Sequence, residues 1–107
     1  MTEMDILRSI RLALSERGYC VFRINSGKVK MADGRWFDVG VPKGFSDLVA
    51  VKDGKISFIE VKNEVGRPTA EQINFITQMQ TRYGCRAGIA RSVEDALAIV
   101  KGESDGN

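Results

Sequence analysis

The chain has 107 residues, 43 % apolar and 28 % charged, with a net charge of +2 and no histidine. That length supports one hydrophobic core and not two, and the composition is that of a soluble globular protein rather than a disordered or membrane chain. Without histidine there is no Ser-His-Asp or Cys-His triad, no histidine-bound zinc and no histidine general base, so any hydrolysis must run on carboxylates and lysine, with or without a hard metal ion.

In chain order, Thr2 to Arg17 reads as a helix: Ile6, Leu7, Ile10 and Leu14 repeat at helical spacing, Thr2 can cap the first turn and Gly18 suits the C-terminus. Glu3 lies on the same stripe as Ile6, Leu7 and Ile10. An acid in the first turn also suits the helix dipole, so a structural and a functional reading of Glu3 compete. Tyr19 to Asn25 reads as a strand, and Lys28–Met31 with Arg35–Val39 as a hairpin across Ala32-Asp33-Gly34. The stretch from Gly40 to Gly44 is a loop. Asp47–Lys52 and Lys55–Lys62 form a second hairpin around Asp53-Gly54, rich in β-branched residues as central strands are. After a polar loop over Asn63–Pro68, Thr69 and Gln72 match a capping box and open a helix whose apolar face is Ile73, Phe75, Ile76 and Met79. Cys85–Arg91 is a short strand, and Ser92 caps a last helix through Lys101. The expected fold is α/β, a mixed β-sheet flanked by helices in the order α-β-ββ-ββ-α-β-α. A single domain over residues 1–101 and a frayed tail over 102–107 are expected.

Cys20 and Cys85 lie far apart inside apolar runs and read as buried free thiols. No apolar run approaches the roughly 20 residues of a membrane helix, and the N-terminus lacks a signal-peptide pattern, so a cytoplasmic protein without a membrane partner is expected. Residues 8–43 hold eight basic side chains against three acids, either a solvated surface or one that faces a polyanion.

One strand breaks its own pattern. In Ser57-Phe-Ile-Glu-Val-Lys62, Glu60 and Lys62 are two residues apart and so share one face of the sheet, about 6–7 Å apart along the strand. In a tight hairpin around Asp53-Gly54, facing residues have numbers that sum to about 107, which sets Asp47 opposite Glu60. Two carboxylates side by side repel each other unless a cation lies between them. A salt-bridged hairpin neutralised by Lys62 is one solution; a hard divalent ion, which accepts a few carboxylate oxygens without a full protein cage, is the other.

The run Gly40 to Phe75 resembles the VRR-NUC branch of the PD-(D/E)XK nuclease superfamily. Asp47 and Glu60-Val61-Lys62 match the superfamily signature. Pro42-Lys-Gly-x-x-Asp47 and Gly66-Arg-x-Thr-x-x-Gln72 match marks of the branch, and the resemblance covers nearly the whole chain. It implies a restriction-endonuclease-like core and metal-dependent hydrolysis of phosphodiester bonds, leaving 5′-phosphate and 3′-hydroxyl ends. Asp47, Glu60 and the Val61 carbonyl would hold Mg2+ or Mn2+, with Glu3 direct or through water. Lys62 would either accept a proton from the attacking water or orient it. Gln72 would help from the next helix, although the capping box already accounts for it.

Phosphate-backbone contacts would come from Lys28, Lys30, Arg35, Lys43 and Arg67. Asn25, Gly27 and Ser46 are further candidates to contact nucleic acid, Asn25 and Gly27 because they end the first strand beside the presumed site, with a plain turn as their alternative. Trp36 and Phe37 read as packing between elements or in a subunit interface rather than stacking on bases. Stand-alone, phage-type members of the branch are similar to Holliday junction resolvases that work on DNA as homodimers. A structure-selective DNA endonuclease of DNA repair is therefore the leading expectation. A nonspecific or restriction-like nuclease and a catalytically silent nucleic-acid-binding module are the alternatives.

Overall fold

The computed structural model describes residues 1–25, 28–38 and 40–103. The elements are α1 (Glu3–Glu16), β1 (Cys20–Arg23), β2 (Lys28–Lys30), β3 (Trp36–Asp38), β4 (Leu48–Lys52), β5 (Lys55–Val61), α2 (Ala70–Thr81), β6 (Arg86–Ala90) and α3 (Val93–Lys101), in the expected order. Strands β1, β4, β5 and β6 lie side by side in that order in one sheet, and β2 with β3 forms a separate two-stranded ribbon. The sheet is mixed: β1–β4 and β4–β5 are antiparallel, whereas β5–β6 is parallel and needs the α2 crossover.

Each helix begins where its local chemistry says it should. Thr2 Oγ1 accepts the Asp5 N–H at 3.1 Å and Asp5 accepts the Thr2 N–H in return, a reciprocal cap for α1. Thr69 and Gln72 do the same for α2, and Ser92 caps α3. The C-termini of α1 and α3 are held by cations from the sheet: Lys52 Nζ donates to the Arg17 carbonyl at 2.7 Å, and Arg86 Nη1 donates to the Val100 carbonyl, both favourable against the helix dipole. Gly102 and Glu103 complete the α3 cap through bonds to Ile99 and Ala98; the rest of the expected frayed tail, residues 104–107, lies outside the described residues.

One face of the sheet carries the main core. Leu48, Ala50, Ile59, Val61 and Ala90 pack there against Ile6, Leu7, Ile10 and Leu14 of α1 and Ala96, Ile99 and Val100 of α3. The opposite face of β5 receives α2 through three aromatic rings: Phe45, Phe58 and Phe75 have centroids 4.5 to 5.9 Å apart, in tilted and edge-to-face pairs.

Because α2 packs on β5 and β6 and not on β1, the outward face of β1 stays open. That corrects several expectations. Cys20 is a free thiol but exposed, and Cys85 is free and only half-buried. Trp36 and Phe37, on the separate ribbon, are 64 % and 55 % exposed instead of packed between elements of this chain. Ile73, placed on the apolar face of α2, is also exposed; Ile76 is the buried residue of that helix. No described helix is long and apolar enough to cross a membrane.

Candidate active site

The β4–β5 hairpin fixes the site. Asp53 and Gly54 both have positive φ, 53° and 74°, as a two-residue type I′ turn requires. The turn sets a register in which Leu48 faces Ile59 and Lys52 faces Lys55. Carried one residue further, that register brings Asp47 opposite Glu60, and cross-strand bonds lock the pair. The Asp47 N–H donates to Glu60 Oε1 at 3.2 Å, and the Val61 N–H donates to Asp47 Oδ2 at 2.9 Å. On the other side, the Ile24 N–H donates to the Asp47 carbonyl at 2.8 Å, tying the end of β1 to the same corner.

Lys62 completes the cluster. Its backbone N–H donates to the Ala90 carbonyl at 3.0 Å, and its Nζ stands 3.7 Å from Glu60 Oε2. The Glu60 side chain is only 2 % exposed and that of Lys62 only 13 %. Burial, and then the Asp47 carboxylate beside it, push the Glu60 carboxyl up to about 7; the Lys62 ammonium and the Asp47 N–H pull the other way.

The sign of the resulting pH dependence follows from linkage. Glu60 in the folded chain holds its proton to higher pH than in an unfolded chain, so the folded state binds more protons between about pH 4.5 and 7. Stability of the metal-free protein should therefore fall as pH rises through that window, by on the order of 2–3 kcal/mol. Melting in EDTA from pH 5 to pH 8 checks this, and a flat profile would contradict the assignment.

This arrangement fits a hard divalent cation. Two carboxylates share one face of the sheet, and one of them is buried where its charge lacks full compensation. Among the described residues no three acidic, histidine or cysteine side chains are grouped closely enough to hold a metal together. Glu3 is the third acid that the sequence offers. It reaches the area from α1, but its carboxylate lies over the next turn: a Cβ on Gly66 would stand 2.8 Å from Glu3 Oε2.

The VRR-NUC domain family model matches residues 2–94. The chain belongs to the VRR-NUC domain family. A solved structure described as a VRR_NUC domain superposes with a TM-score of 0.68 at 19 % identity, over 97 % of this chain and all of its own. The Holliday junction resolvase Hjc of Archaeoglobus fulgidus superposes at 0.55, also 19 % identical, over 81 % of this chain and 65 % of that one. At such identities the likeness is one of fold. No curated protein sequence matches the chain. The VRR-NUC assignment makes this a nuclease-family fold, a mixed sheet flanked by helices as expected.

Other residues singled out in the sequence fall in different places. Gln72 Oε1 accepts the Thr69 N–H at 2.8 Å, so the capping reading describes where its carbonyl oxygen is spent. Its helix turn nevertheless lies next to the approach to Asp47, because Gly44 packs directly on the Glu71 backbone. Ser46, placed among residues facing nucleic acid, is buried instead: its hydroxyl donates to the Leu48 carbonyl at 3.0 Å and closes the turn into β4. Asn25, Lys30, Arg35, Lys43 and Arg67 are exposed. Arg35 pairs with Asp33 at 2.8 Å and Lys43 with Glu71 at 3.8 Å, solvent-exposed pairs that cost little to exchange for a phosphate. Gly27 and the Lys28 side chain lie outside the described residues. The loop that ends at Gly44 reads in the sequence as one that lets a backbone approach closely, and Gly44 does pack on the Glu71 backbone. Sequence reasoning missed Gly66 as a close-approach point and missed Arg91, which bonds to the turn after Lys62. Gly66 stands in a matched motif, which was the available signal; Arg91 had none.

Proposed function

We propose that this VRR-NUC chain is a divalent-metal-dependent DNA endonuclease, selective for branched DNA such as a four-way junction, built as one domain over residues 1–101. The observation that carries the reading is the Asp47–Glu60 carboxylate pair on one sheet face with the Lys62 ammonium 3.7 Å from Glu60. Asp47, Glu60 and the Val61 carbonyl are the groups to hold Mg2+ or Mn2+, with Glu3 contributing directly or through water. The ion supplies charge stabilisation at the scissile phosphate and a more acidic water. Lys62, its side chain largely shielded from solvent and its Nζ beside Glu60, orients the attacking water and offsets negative charge as it grows on the phosphate. Glu60 keeps Lys62 in place through its second oxygen while the first accepts from Asp47.

The exposed cations Lys30, Arg35, Lys43 and Arg67, with Lys28, meet the phosphate backbone without reading sequence, which makes binding salt-sensitive. Two such sites on a two-fold homodimer suit paired cuts in a branched substrate of recombination or repair, and the resemblance in fold to a Holliday junction resolvase supports that choice.

The test is cleavage of four-way junction, flap and linear duplex DNA with Mg2+ or Mn2+, by the wild type and by Asp47→Ala and Lys62→Ala. Metal-dependent nicking of the branched substrates, lost by at least about a hundredfold in both variants, is expected. Absence of cleavage with either metal would sink the enzyme reading, and binding alone would make the chain a silent nucleic-acid module. Equal cutting of linear and branched DNA would remove the structure selectivity.

A further inference from the structure

The turn that follows Lys62 is closed twice. Asn63 Oδ1 accepts the Val65 N–H at 3.2 Å and the Gly66 N–H at 2.6 Å. The carbonyls of Asn63 and Gly66 then both accept from a single nitrogen, Nη1 of Arg91, at 2.6 and 2.7 Å. Arg91 is the first residue after β6, next to the Ala90 whose carbonyl receives the Lys62 N–H. Its own N–H donates to Asp95 Oδ2 at 2.9 Å, and the Asp95 N–H donates to Ser92 Oγ, so the root of the side chain is anchored in the first turn of α3. Among the described residues the guanidinium makes no salt bridge, and its hydrogen bonds there go to those two backbone carbonyls.

The turn carries two of the site's side chains. A Cβ on Gly66 would stand 2.8 Å from Glu3 Oε2 and 3.4 Å from Lys62 Cδ, so the bare Gly66 backbone is the surface on which the Glu3 carboxylate and the Lys62 stem meet. Two elements distant in sequence, the start of α1 and the end of β5, are thereby referenced to one short turn. Arg91 is what fastens that turn to the rest of the sheet.

We propose that Arg91 is a positioning residue for Lys62 and Glu3, its guanidinium holding the 63–66 turn against which both side chains lie. What that positioning serves rests on the nuclease reading above. Displacing a catalytic group by about 1 Å costs on the order of a hundredfold in rate. Arg91 needs to touch neither DNA nor metal for its loss to be felt.

The experiment compares wild type, Arg91→Ala and Arg91→Lys by amide hydrogen exchange of the metal-free protein and by steady-state cleavage with Mn2+. In Arg91→Ala, exchange at Val65 and Gly66 is expected to accelerate at least about tenfold while the core strands keep their protection. In the same variant kcat falls roughly a hundredfold, with KM for DNA unchanged to within about twofold. Arg91→Lys, whose ammonium can still donate to both carbonyls, recovers much of the rate and the protection. Unchanged exchange at Val65 and Gly66 overturns the inference whatever the activity. So does a raised KM with unchanged kcat, which would make Arg91 a phosphate contact, and so does a uniform loss of protection across the core. If the wild type cleaves no DNA, the nuclease reading falls, while the exchange comparison still decides whether Arg91 holds the turn.

Discussion

Glu60→Gln is expected to lose cleavage by at least about a hundredfold and yet to melt no lower than the wild type at pH 8. The two halves have one cause. The Glu60 side chain is nearly inaccessible, beside the Asp47 carboxylate, and its carboxyl is pushed up to about 7. At pH 8 the metal-free wild type therefore holds a charge that its surroundings disfavour. Glutamine has the same shape, and its amide oxygen can still accept the Asp47 N–H that Glu60 Oε1 accepts now. It removes the disfavoured charge and, with it, half of the proposed cation site. Near pH 5 the two proteins should melt together, because Glu60 is then protonated as well. Millimolar Mn2+ should raise the melting temperature of the wild type and not that of the variant. Melting curves at both pH values, with and without Mn2+, beside a cleavage assay, make the check. A variant that melts well below the wild type at pH 8 would show that the Lys62–Glu60 pair is a net stabiliser, and that burial does not dominate at this carboxylate.

Gly44→Ala is expected to be the most damaging Gly→Ala substitution among the described glycines. Gly44 has φ +96°, outside the range that L-residues adopt comfortably, and a Cβ there would stand 2.7 Å from the Glu71 carbonyl carbon and oxygen. Backbone on both sides leaves no flexible side chain to yield. Strain and overpacking together should cost roughly 2–4 kcal/mol, a fall in melting temperature of roughly 10–20 °C for a domain of this size. Gly34→Ala is the matched control: its φ is +90°, but nothing lies within 4 Å of the added Cβ. It should show the backbone cost alone, about 1–2 kcal/mol. Equal shifts in the two variants would mean that the contact with α2 contributes nothing. The functional consequence is local, since Gly44 lies three residues before Asp47 and Phe45 beside it is part of the aromatic cluster that seats α2.

Much of this molecule is legible in its sequence. The helices announce themselves through caps and the 3.6-residue period: Thr2, Thr69 and Ser92 accept the bonds that their spacing implies, and Ile6, Leu7, Ile10 and Leu14 form the buried stripe. The pairing of Asp47 with Glu60 is legible as well, because a two-residue turn at Asp53-Gly54 admits one register and alternation does the rest. Exposure is harder. Cys20, Trp36, Phe37 and Ile73 are apolar or thiol side chains, yet all are exposed. Whether such a side chain is buried depends on which element covers its face. No local rule says that α2 stops short of β1 or that β2 and β3 leave the main sheet.

The same division runs through the site. Sequence alone determined the chemistry at hand: no histidine, two carboxylates and a lysine on one sheet face, inside motifs of a nuclease family. These are properties of residue type and short spacing, and short-range geometry preserves them. Tertiary structure alone decided which supporting groups reach that chemistry. Ser46 turned inward to the Leu48 carbonyl, Glu3 came to rest over Gly66 from the other end of the chain, and Arg91 closed on Asn63 and Gly66 from 28 and 25 residues away. Those contacts join segments whose separation in sequence carries no periodicity, so only the packed fold could bring them together.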